Sequence, residues 1–335
     1  MSYGKNISAG LLFLLVFSFF YGCEEDIVSS HNESREMTYL GKYGSSETFE
    51  HSFIKNLSGI DYSFLSDGNS GLQILDISNP VSPAHVVGYN VTGYVEETFV
   101  WKKDSIPYVF IAAGLGGISI IDVIDINGAV MDTVINFPGD YIRTVYVDTT
   151  HKIMYAGGDK KKVYLYDISN LPSVMSISTY QTFSIVNEIL VRNNVAYVAQ
   201  DQGLDIVDVS NPHTPGRLSQ GISENYAYDI KLSGNYAYVA NDINGVSIFN
   251  ISNPSNPSEI GFIDTYDNVL GCAIDGDILY VAEDESGVEA YDISNPSNPL
   301  LLAYFNTSGN AIGLTVYRGL LFVADNIEYV ILRYP

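Results

Sequence analysis

The sequence predicts an all-β protein in which one four-stranded unit repeats around a closed ring. The first observation is a repeated motif, a short apolar run that ends in Asp or Asn and is usually followed by Ile-Ser-Asn-Pro. Its six copies end at Asp76, Asp122, Asp167, Asp208, Asn250 and Asp292. The second observation is their spacing of 41 to 46 residues, a period that is typical of repeat architectures. The third is that no segment beyond residue 22 keeps a helical period of 3.6 residues.

The clearest unit spans residues 225–265 and divides into four short runs rich in Tyr, Val, Ile and Phe. Such runs, separated by turn residues, are typical of strands. The turns between them are too short to hold crossover helices, so the four strands must be antiparallel. Four antiparallel strands in about 40–45 residues are typical of one blade of a β-propeller.

Most copies of the repeated motif end in Asn followed by proline. The pairs are Asn79-Pro80, Asn211-Pro212, Asn253-Pro254 and Asn295-Pro296, with Asn170-Leu171-Pro172 as a variant. Proline ends the strand because it lacks an N–H donor, and Asn can bond its own backbone to close the turn. In the second unit an Asn127-Gly128 turn is predicted instead. We therefore interpret these residues as structural.

The number of innermost strands gives the number of blades. They are predicted to begin near Phe49, Glu97, Ile142, Asn187, Tyr228, Leu270 and Ile312. The seventh unit lacks an outer strand, and Thr38–Tyr43 resembles the outer strands of other units. Pairing it with the last blade would remove two exposed sheet edges. Residues 37–335 are thus predicted to form a seven-bladed β-propeller of four-stranded antiparallel blades, closed by pairing of N- and C-terminal strands.

The first 22 residues have the composition of a signal peptide. Lys5 is their single charge, Leu11–Phe20 is apolar apart from Ser18, and Gly22-Cys23 follows. The apolar core is too short to span a bilayer. The segment resembles a bacterial lipoprotein signal, which implies acylation of Cys23 and a membrane anchor; an ordinary secretory signal is the alternative. Residues 23–36 are expected to form a flexible tether.

The location predicted from this start is the bacterial cell envelope, as an outer-membrane lipoprotein. Glu24-Glu25-Asp26 resembles an acidic tag that sends some lipoproteins of the Bacteroidetes type to the outer surface, and a solvated start of the tether is the equal alternative. The formal net charge of −23 at pH 7 excludes nucleic acid as a partner, because the phosphate backbone would be repelled. The same charge favours cationic partners or divalent ions.

The repeated runs LQILD, ISIID, VYLYD, LDIVD, VSIFN and VEAYD resemble those of the LVIVD-repeat proteins, which are β-propellers of bacterial and archaeal envelope or secreted proteins. The resemblance covers roughly residues 48–335. It implies an extracytoplasmic binding or scaffold role and carries no shared catalytic motif. We therefore expect the partner to be another envelope protein.

Two groups of polar residues are predicted to meet at one mouth of the central channel. The first is an acidic residue after the second strand: Asp67, Asp159, Asp201, Asp242, Asp284 and Asp325. Asp closes tight turns through its own backbone, and a cation-attracting ring is the alternative. The second group, at the start of the innermost strands, contains Glu97, Arg143, Glu188, Asp229, Gly271 and Gly313, with His51 and Ser52 ambiguous in the first blade.

The second group predicts a binding site at the channel mouth, with space on the side of the two glycines. Glu97, Arg143, Glu188 and Asp229 are the candidate ligand contacts. A small cationic or polar group or a divalent ion such as Ca²⁺ would suit them, because hard cations bind several oxygens. No resident cofactor is predicted, and the metal is left open.

No catalytic motif is present in the sequence, so we predict a protein that is not an enzyme. Of the five histidines, only His51 falls near the channel, and Cys272 fits a small buried residue of an innermost strand. The alternatives are a hydrolase or lyase that uses Glu97, Glu188 and Asp229, and a glycan binder that uses some of the 26 tyrosines. A lipid-anchored interaction scaffold is the leading prediction.

Overall fold

The structure, a computed structural model, describes residues 35–219 and 226–334, and these fold into 28 strands. The described part of the chain contains no α-helix, and so no helix that could span a membrane. The strands form seven sheets arranged as a ring, which is a seven-bladed β-propeller. This confirms the predicted fold class.

The first two strands precede blade one: β1 (Arg35–Glu36) and β2 (Thr38–Phe49). Blade one contains β3 (His51–Leu57), β4 (Ile60–Ser66), β5 (Leu72–Asp76) and β6 (Ala84–Tyr89). Blade two contains β7 (Glu97–Lys103), β8 (Ile106–Ala112), β9 (Ile118–Asp122) and β10 (Val130–Ile135). Blade three contains β11 (Ile142–Asp148), β12 (Ile153–Gly158), β13 (Lys162–Asn170) and β14 (Ser173–Gln181).

Blade four contains β15 (Val186–Arg192), β16 (Val195–Gln200), β17 (Gly203–Asp208) and β18 (Gly216–Ser219). Blade five contains β19 (Asp229–Ser233), β20 (Tyr236–Ala240), β21 (Val246–Asn250) and β22 (Ser258–Ile263). Blade six contains β23 (Gly271–Asp275), β24 (Ile278–Glu283), β25 (Gly287–Asp292) and β26 (Leu300–Phe305). Blade seven contains β27 (Ala311–Tyr317) and the long β28 (Leu320–Arg333).

The first strand of each blade lines the central channel. Each of these strands contacts the first strand of the next blade, and β27 contacts β3, which closes the ring. The core lies between neighbouring blades, where apolar side chains of adjacent sheets interdigitate. Between blades one and two, for example, Phe64 and Ile74 pack with Val109 and Ile111, and all four are fully buried. Burial of such side chains stabilises the fold by about 1.5–3 kcal/mol each.

Both ends of the chain contribute to ring closure. The first half of β28 pairs with β27, and its second half, beyond Asn326, pairs antiparallel with β2. Thr38 stands opposite Arg333, so the predicted closure by terminal strands is confirmed. The predicted tether is two residues too long, because Arg35–Glu36 adds to blade six as the parallel partner of β26.

The repeated Asp or Asn makes one hydrogen bond after the apolar run of the third strand. It is the last residue of that strand in five of the six copies, and in blade three the strand continues from Asp167 to Asn170. The side-chain oxygen of the repeated Asp or Asn accepts the N–H of the residue two positions later, at 2.8–2.9 Å in all six copies. In blade two, Asp122 keeps this bond with Ile124, and the following turn is closed by Gly128 N–H to the carbonyl of Asp125. These residues are structural, as the turn chemistry predicts.

The loops divide between two faces of the ring. The face that we call the mouth face carries the loops between second and third strands and the connections from one blade to the next. Bridges such as Gly68 with Val95 and Gly114 with Ile142 tie each such loop to the start of the next innermost strand. The opposite face carries the hairpins between first and second strands and the loops between third and fourth strands.

The mouth face is the more acidic of the two. Its described connections carry the basic residues Lys160 and Lys161 and the acidic residues Glu50, Asp67, Glu96, Asp140, Asp159, Asp201, Asp242, Asp264, Asp267, Asp284 and Glu285. The connections of the opposite face carry the acidic residues Asp104, Asp125 and Asp277 and the basic residues Lys152 and Arg318. The opposite face is also acidic, because the third strands that end there carry Asp76, Asp122, Asp167, Asp208 and Asp292.

Candidate functional site

The channel opens on the mouth face into a cavity of about 330 Å³. Its lining includes Glu97, Arg143, Glu188 and Asp229, so the structure brings together the four residues that the sequence nominated. The lining also includes Glu50, His51, Asn187 and Lys231, and all seven blades contribute to it.

The strand register defines one ring of equivalent residues in the channel. Each member stands opposite the same position of its second strand, and the members are His51, Glu97, Thr144, Glu188, Asp229, Gly271 and Gly313. Blade three contributes Thr144 and not Arg143. The same bulge precedes Thr144, Glu188 and Gly313 in blades three, four and seven, so Arg143 is equivalent to Asn187 and Ile312. Arg143 lies one residue nearer the mouth, so its predicted place in the ring was wrong.

Glu97 reaches from its own blade to the innermost strand of the next one. Its Oε2 accepts the N–H of Val145 at 2.9 Å. Burial of the carboxyl group raises the pKa of Glu97 to about 7, although this hydrogen bond acts in the opposite direction. Glu97 is thus poised between its neutral and charged forms near neutral pH.

Glu188 lies within electrostatic reach of Glu97. Burial and then the charge of Glu97 raise the pKa of Glu188 well above its usual value, and the charge of Lys231 acts against both. Two carboxyl groups in one desolvated cavity resist simultaneous ionisation. A cation that entered the cavity would therefore be attracted by both groups and would favour their charged forms.

Asp229 and Lys231 form an ion pair on β19. The Lys231 Nζ donates to Asp229 Oδ1, and Asp229 Oδ2 accepts the N–H of Cys272 in the next blade at 2.8 Å. Burial disfavours the charge of Lys231, but attraction by Asp229 and Glu188 outweighs it and raises the lysine pKa. The sequence analysis missed Lys231. The signal was present, since residues two apart on a strand point the same way.

His51 and Lys231 separate the mouth cavity from a second cavity of about 340 Å³ further along the channel. Burial lowers the pKa of His51 to about 4, and Lys231 acts in the same direction, so the imidazole is neutral at pH 7. Its Nδ1 is buried and has no hydrogen-bond partner among the described residues. The sequence left this position ambiguous between His51 and Ser52, and the structure places His51 in the ring.

Tyrosine hydroxyls hold two further carboxylates at the mouth. Tyr94 donates to Glu50, and in the equivalent place of the next blade Tyr141 donates to Glu96 at 2.5 Å. Burial raises the pKa of Glu50 to about 7, despite the hydrogen bond from Tyr94. Arg143 donates to Asp159 at 2.8 Å, beside the Tyr141 ring. It is the one arginine among the lining residues.

The two ring glycines line the cavity, and neighbouring backbone stands where their own Cβ atoms would lie. A Cβ atom on Gly271 would lie 2.4 Å from the carbonyl oxygen of Ile312, and one on Gly313 would lie 2.4 Å from that of Glu50. Glycine is required there because the next innermost strand approaches closely. Blades six and seven thus border the cavity with backbone and with apolar residues such as Leu270 and Leu314, and the ionisable lining residues lie in or directly before blades one to five.

The predicted ring of acidic loop residues is not one structural position. Asp67 and Asp325 directly follow the ring partners Ser66 and Ala324, whereas the other four stand one residue further along. The side chains mostly serve the loops. Asp201 accepts from Asn187 at 3.0 Å, and Asp325 accepts from Thr307 at 2.6 Å and from the N–H of Gly309 at 3.0 Å. These contacts favour the structural interpretation.

Within residues 35–219 and 226–334, no group of three or more His, Cys, Asp or Glu side chains could hold a metal ion. The ammonium group of Lys231 already occupies the cation position beside Asp229. Cys272 is buried, and burial raises its thiol pKa well above the usual value, so it is not an activated nucleophile. Cys23, the predicted signal peptide and most of the predicted tether lie outside the described residues.

Comparison with known proteins supports the fold and the repeat. The LVIVD repeat matches residues 56–91, 185–219, 224–265 and 268–307, which correspond to blades one, four, five and six. No curated protein matches the chain in sequence. The fold is common, since 1475 chains of solved structures match. One is the computationally designed Ika8 protein, 12% identical over 89% of this chain and 99% of its own, with a TM-score of 0.62. A match at this identity shows the fold alone.

Proposed function

We propose that this chain, a β-propeller with four LVIVD repeats, is an envelope-anchored binding module that engages its partner through the mouth face. A binding or scaffold role is what the repeat and the fold suggest in general. The mouth cavity carries the proposal further. It gathers Glu97, Glu188, Asp229 and Lys231, ionisable groups whose burial costs free energy that neither strand pairing nor the apolar core requires.

The proposed anchor is lipid on Cys23, supported by the signal-like residues 1–22. Growth of cells with an alkyne-bearing palmitate should label the chain, and Cys23→Ala should abolish the label. Retention of the label in Cys23→Ala would refute the anchor.

The partner is proposed to be another envelope protein. A photo-crosslinking amino acid placed at Ile243 on the mouth face should give a discrete crosslinked product in intact cells. The same residue at Val81 on the opposite face is the matched control, because both side chains are exposed, by 74% and 63%. Crosslinks from Val81 and none from Ile243 would refute the use of the mouth face.

A hydrolase or lyase that uses channel carboxylates is the second candidate. The pKa of Glu97, raised to about 7, is the observation that favours it, because general acid–base groups work best near the ambient pH. Turnover of glycoside or ester substrates that is lost in Glu97→Gln and in Glu188→Gln would support this candidate over the binding module.

A further inference from the structure

Large apolar side chains project from the mouth face around the channel. They are Leu115, Phe183, Tyr226, Ile243, Tyr266 and Ile327, which we call the apolar rim. Each lies in a loop between second and third strands, in a blade-to-blade connection, or at the bend of β28. The rim residues therefore stand on the same side of the disc as the acidic cavity.

The rim is strongly exposed. Tyr266 is 96% accessible, and Ile243 and Leu115 are 74% and 72% accessible. Single exposed apolar residues are ordinary, but a set of them bordered by polar groups marks an interaction surface. On the opposite face, the exposed large apolar side chains of the described connections are Val81 and Ile124. The strand ends of the opposite face also expose Ile60, Val130 and Leu300, so it is the combination of the apolar rim with the acidic cavity that assigns the docking surface to the mouth face.

The charge of the mouth face selects the partner. Acidic residues outnumber the basic ones, Lys160 and Lys161, in its described connections. A membrane surface rich in anionic lipids would be repelled by this charge. A cationic surface would be attracted, and charge complementarity would also steer its approach. The partner must also carry apolar side chains beside its cationic ones, because only apolar side chains would pack on the rim.

The cavity volume limits what enters the channel. About 330 Å³ is at the small end of the ~300–1,000 Å³ range of ligand pockets. It accommodates one long side chain near Glu97 and Glu188, while Lys231 closes the far end. A small free cation would fill the cavity but would leave the apolar rim without a function.

We propose that the mouth face docks a cationic, amphipathic polypeptide segment of a partner protein. One Lys or Arg side chain enters the cavity towards Glu97 and Glu188, and neighbouring apolar side chains pack on the rim at Ile243 and Tyr266. This inference rests on the proposed function and names the chemical class of the partner. Charge in the cavity sets the register of the segment, and the rim supplies apolar contact area.

The test uses a fluorescent decapeptide of alternating Lys and Leu, and the same peptide with every Lys acetylated. The purified chain should bind the cationic peptide at least tenfold more tightly than the acetylated one. The double variant Glu97→Gln/Glu188→Gln and the double variant Ile243→Ser/Tyr266→Ser should each weaken binding at least fivefold. Val81→Ser/Ile124→Ser is the matched control and should bind as the native chain does. A single cooperative melting transition at or above that of the native chain confirms that each variant is folded.

Equal binding of the two peptides would overturn the inference. So would a loss of binding in the opposite-face control as large as the loss in the rim variant. Crosslinks from Ile243 in cells, combined with no preference for the cationic peptide, would refute this partner class and leave the mouth-face binding module standing. Absence of crosslinks from Ile243 would refute the proposed function itself.

Discussion

Glycines on the two faces of the ring meet different surroundings. In the hairpin turns of the opposite face, Gly59, Gly234 and Gly276 have open space where a Cβ atom would stand. On the mouth face, a Cβ on Gly93 would lie 2.0 Å from the carbonyl oxygen of Ala113, and one on Gly116 would lie 1.6 Å from that of Thr92. The mouth loops therefore interlock with neighbouring backbone, whereas the opposite turns are independent. Interlocked loops hold the cavity and the rim in fixed positions.

The largest expected effect is on the interlocked loops. Gly116→Ala forces a methyl group against the Thr92 carbonyl and should lower the free energy of unfolding by at least ~3 kcal/mol, the upper end for overpacking. Gly216→Ala is the matched control, since nothing lies near its Cβ position, and should change stability by less than ~1 kcal/mol. Urea unfolding measures both. Equal midpoints would refute the difference between the faces.

The next effect concerns the charge balance of the mouth. Lys231→Met leaves Asp229 and Glu188 without their cation. It should cost ~2 kcal/mol at pH 8, below the ~3–5 kcal/mol of a fully buried pair because Lys231 is 27% exposed. Adding Asp229→Asn should restore part of the loss. Single and double variants with additive losses would show that the pair is not coupled.

The pH dependence of stability should reflect the raised pKa of Glu97 in the mouth cavity. The folded pKa of Glu97, about 7, lies above its unfolded value of 4.5, so its contribution is complete below 4.5 and is lost as the pH rises through 7. Unfolding of Glu97→Gln should depend less on pH between 5 and 8, by ~1–2 kcal/mol. Glu50 titrates in the same range, so part of the dependence of unfolding free energy on pH remains in Glu97→Gln. An unchanged slope would contradict the burial of Glu97.

The smallest expected effect is on the opposite face. Asp292→Ala removes one repeated bond, to Ser294 N–H at 2.8 Å, and should cost ~1 kcal/mol. Asp292→Asn should cost less, because Asn250 makes the same bond in blade five. The pKa of Asp292 is lowered in the folded state, so its contribution to stability depends on pH in the opposite direction to that of Glu97. The contribution is present above pH 3.8 and is lost as the pH falls. Loss of peptide binding in either variant would show that the two faces are coupled.

The fold could be predicted from the sequence because its determinants are local and repeated. Asp76, Asp208 and Asp292 each end a strand with the same bond, and the period of the repeat counts the blades. Ring closure was predictable because Thr38–Tyr43 resembles an outer strand and the last unit lacks one. The LVIVD repeat leaves blades two, three and seven unmatched. Blade two lacks the Asn-Pro motif, and blade seven takes its outer strand from the other end of the chain.

The site was less predictable because it depends on register and on contacts between blades. Thr144 and not Arg143 stands in the ring, because blades three, four and seven share a bulge that makes Thr144 equivalent to Glu188 and Gly313. The approach of Ile312 to Gly271 is a contact between blades, which spacing along the chain does not reveal. Lys231, in contrast, could have been found by applying strand alternation to Asp229.

The N-terminal strands cross a seam of the ring. Arg35–Glu36 pairs with blade six, and Thr38–Phe49 pairs with blade seven, while Met37 between them is buried among side chains of both blades. A pulling force applied at Arg35 would therefore load the seam before any other part of the propeller. Release of β1 would free the edge of blade six, and release of β2 would then remove the outer strand of blade seven. The resistance of the propeller to a force applied at its N-terminal end thus depends on fifteen residues, Arg35 to Phe49, at one edge.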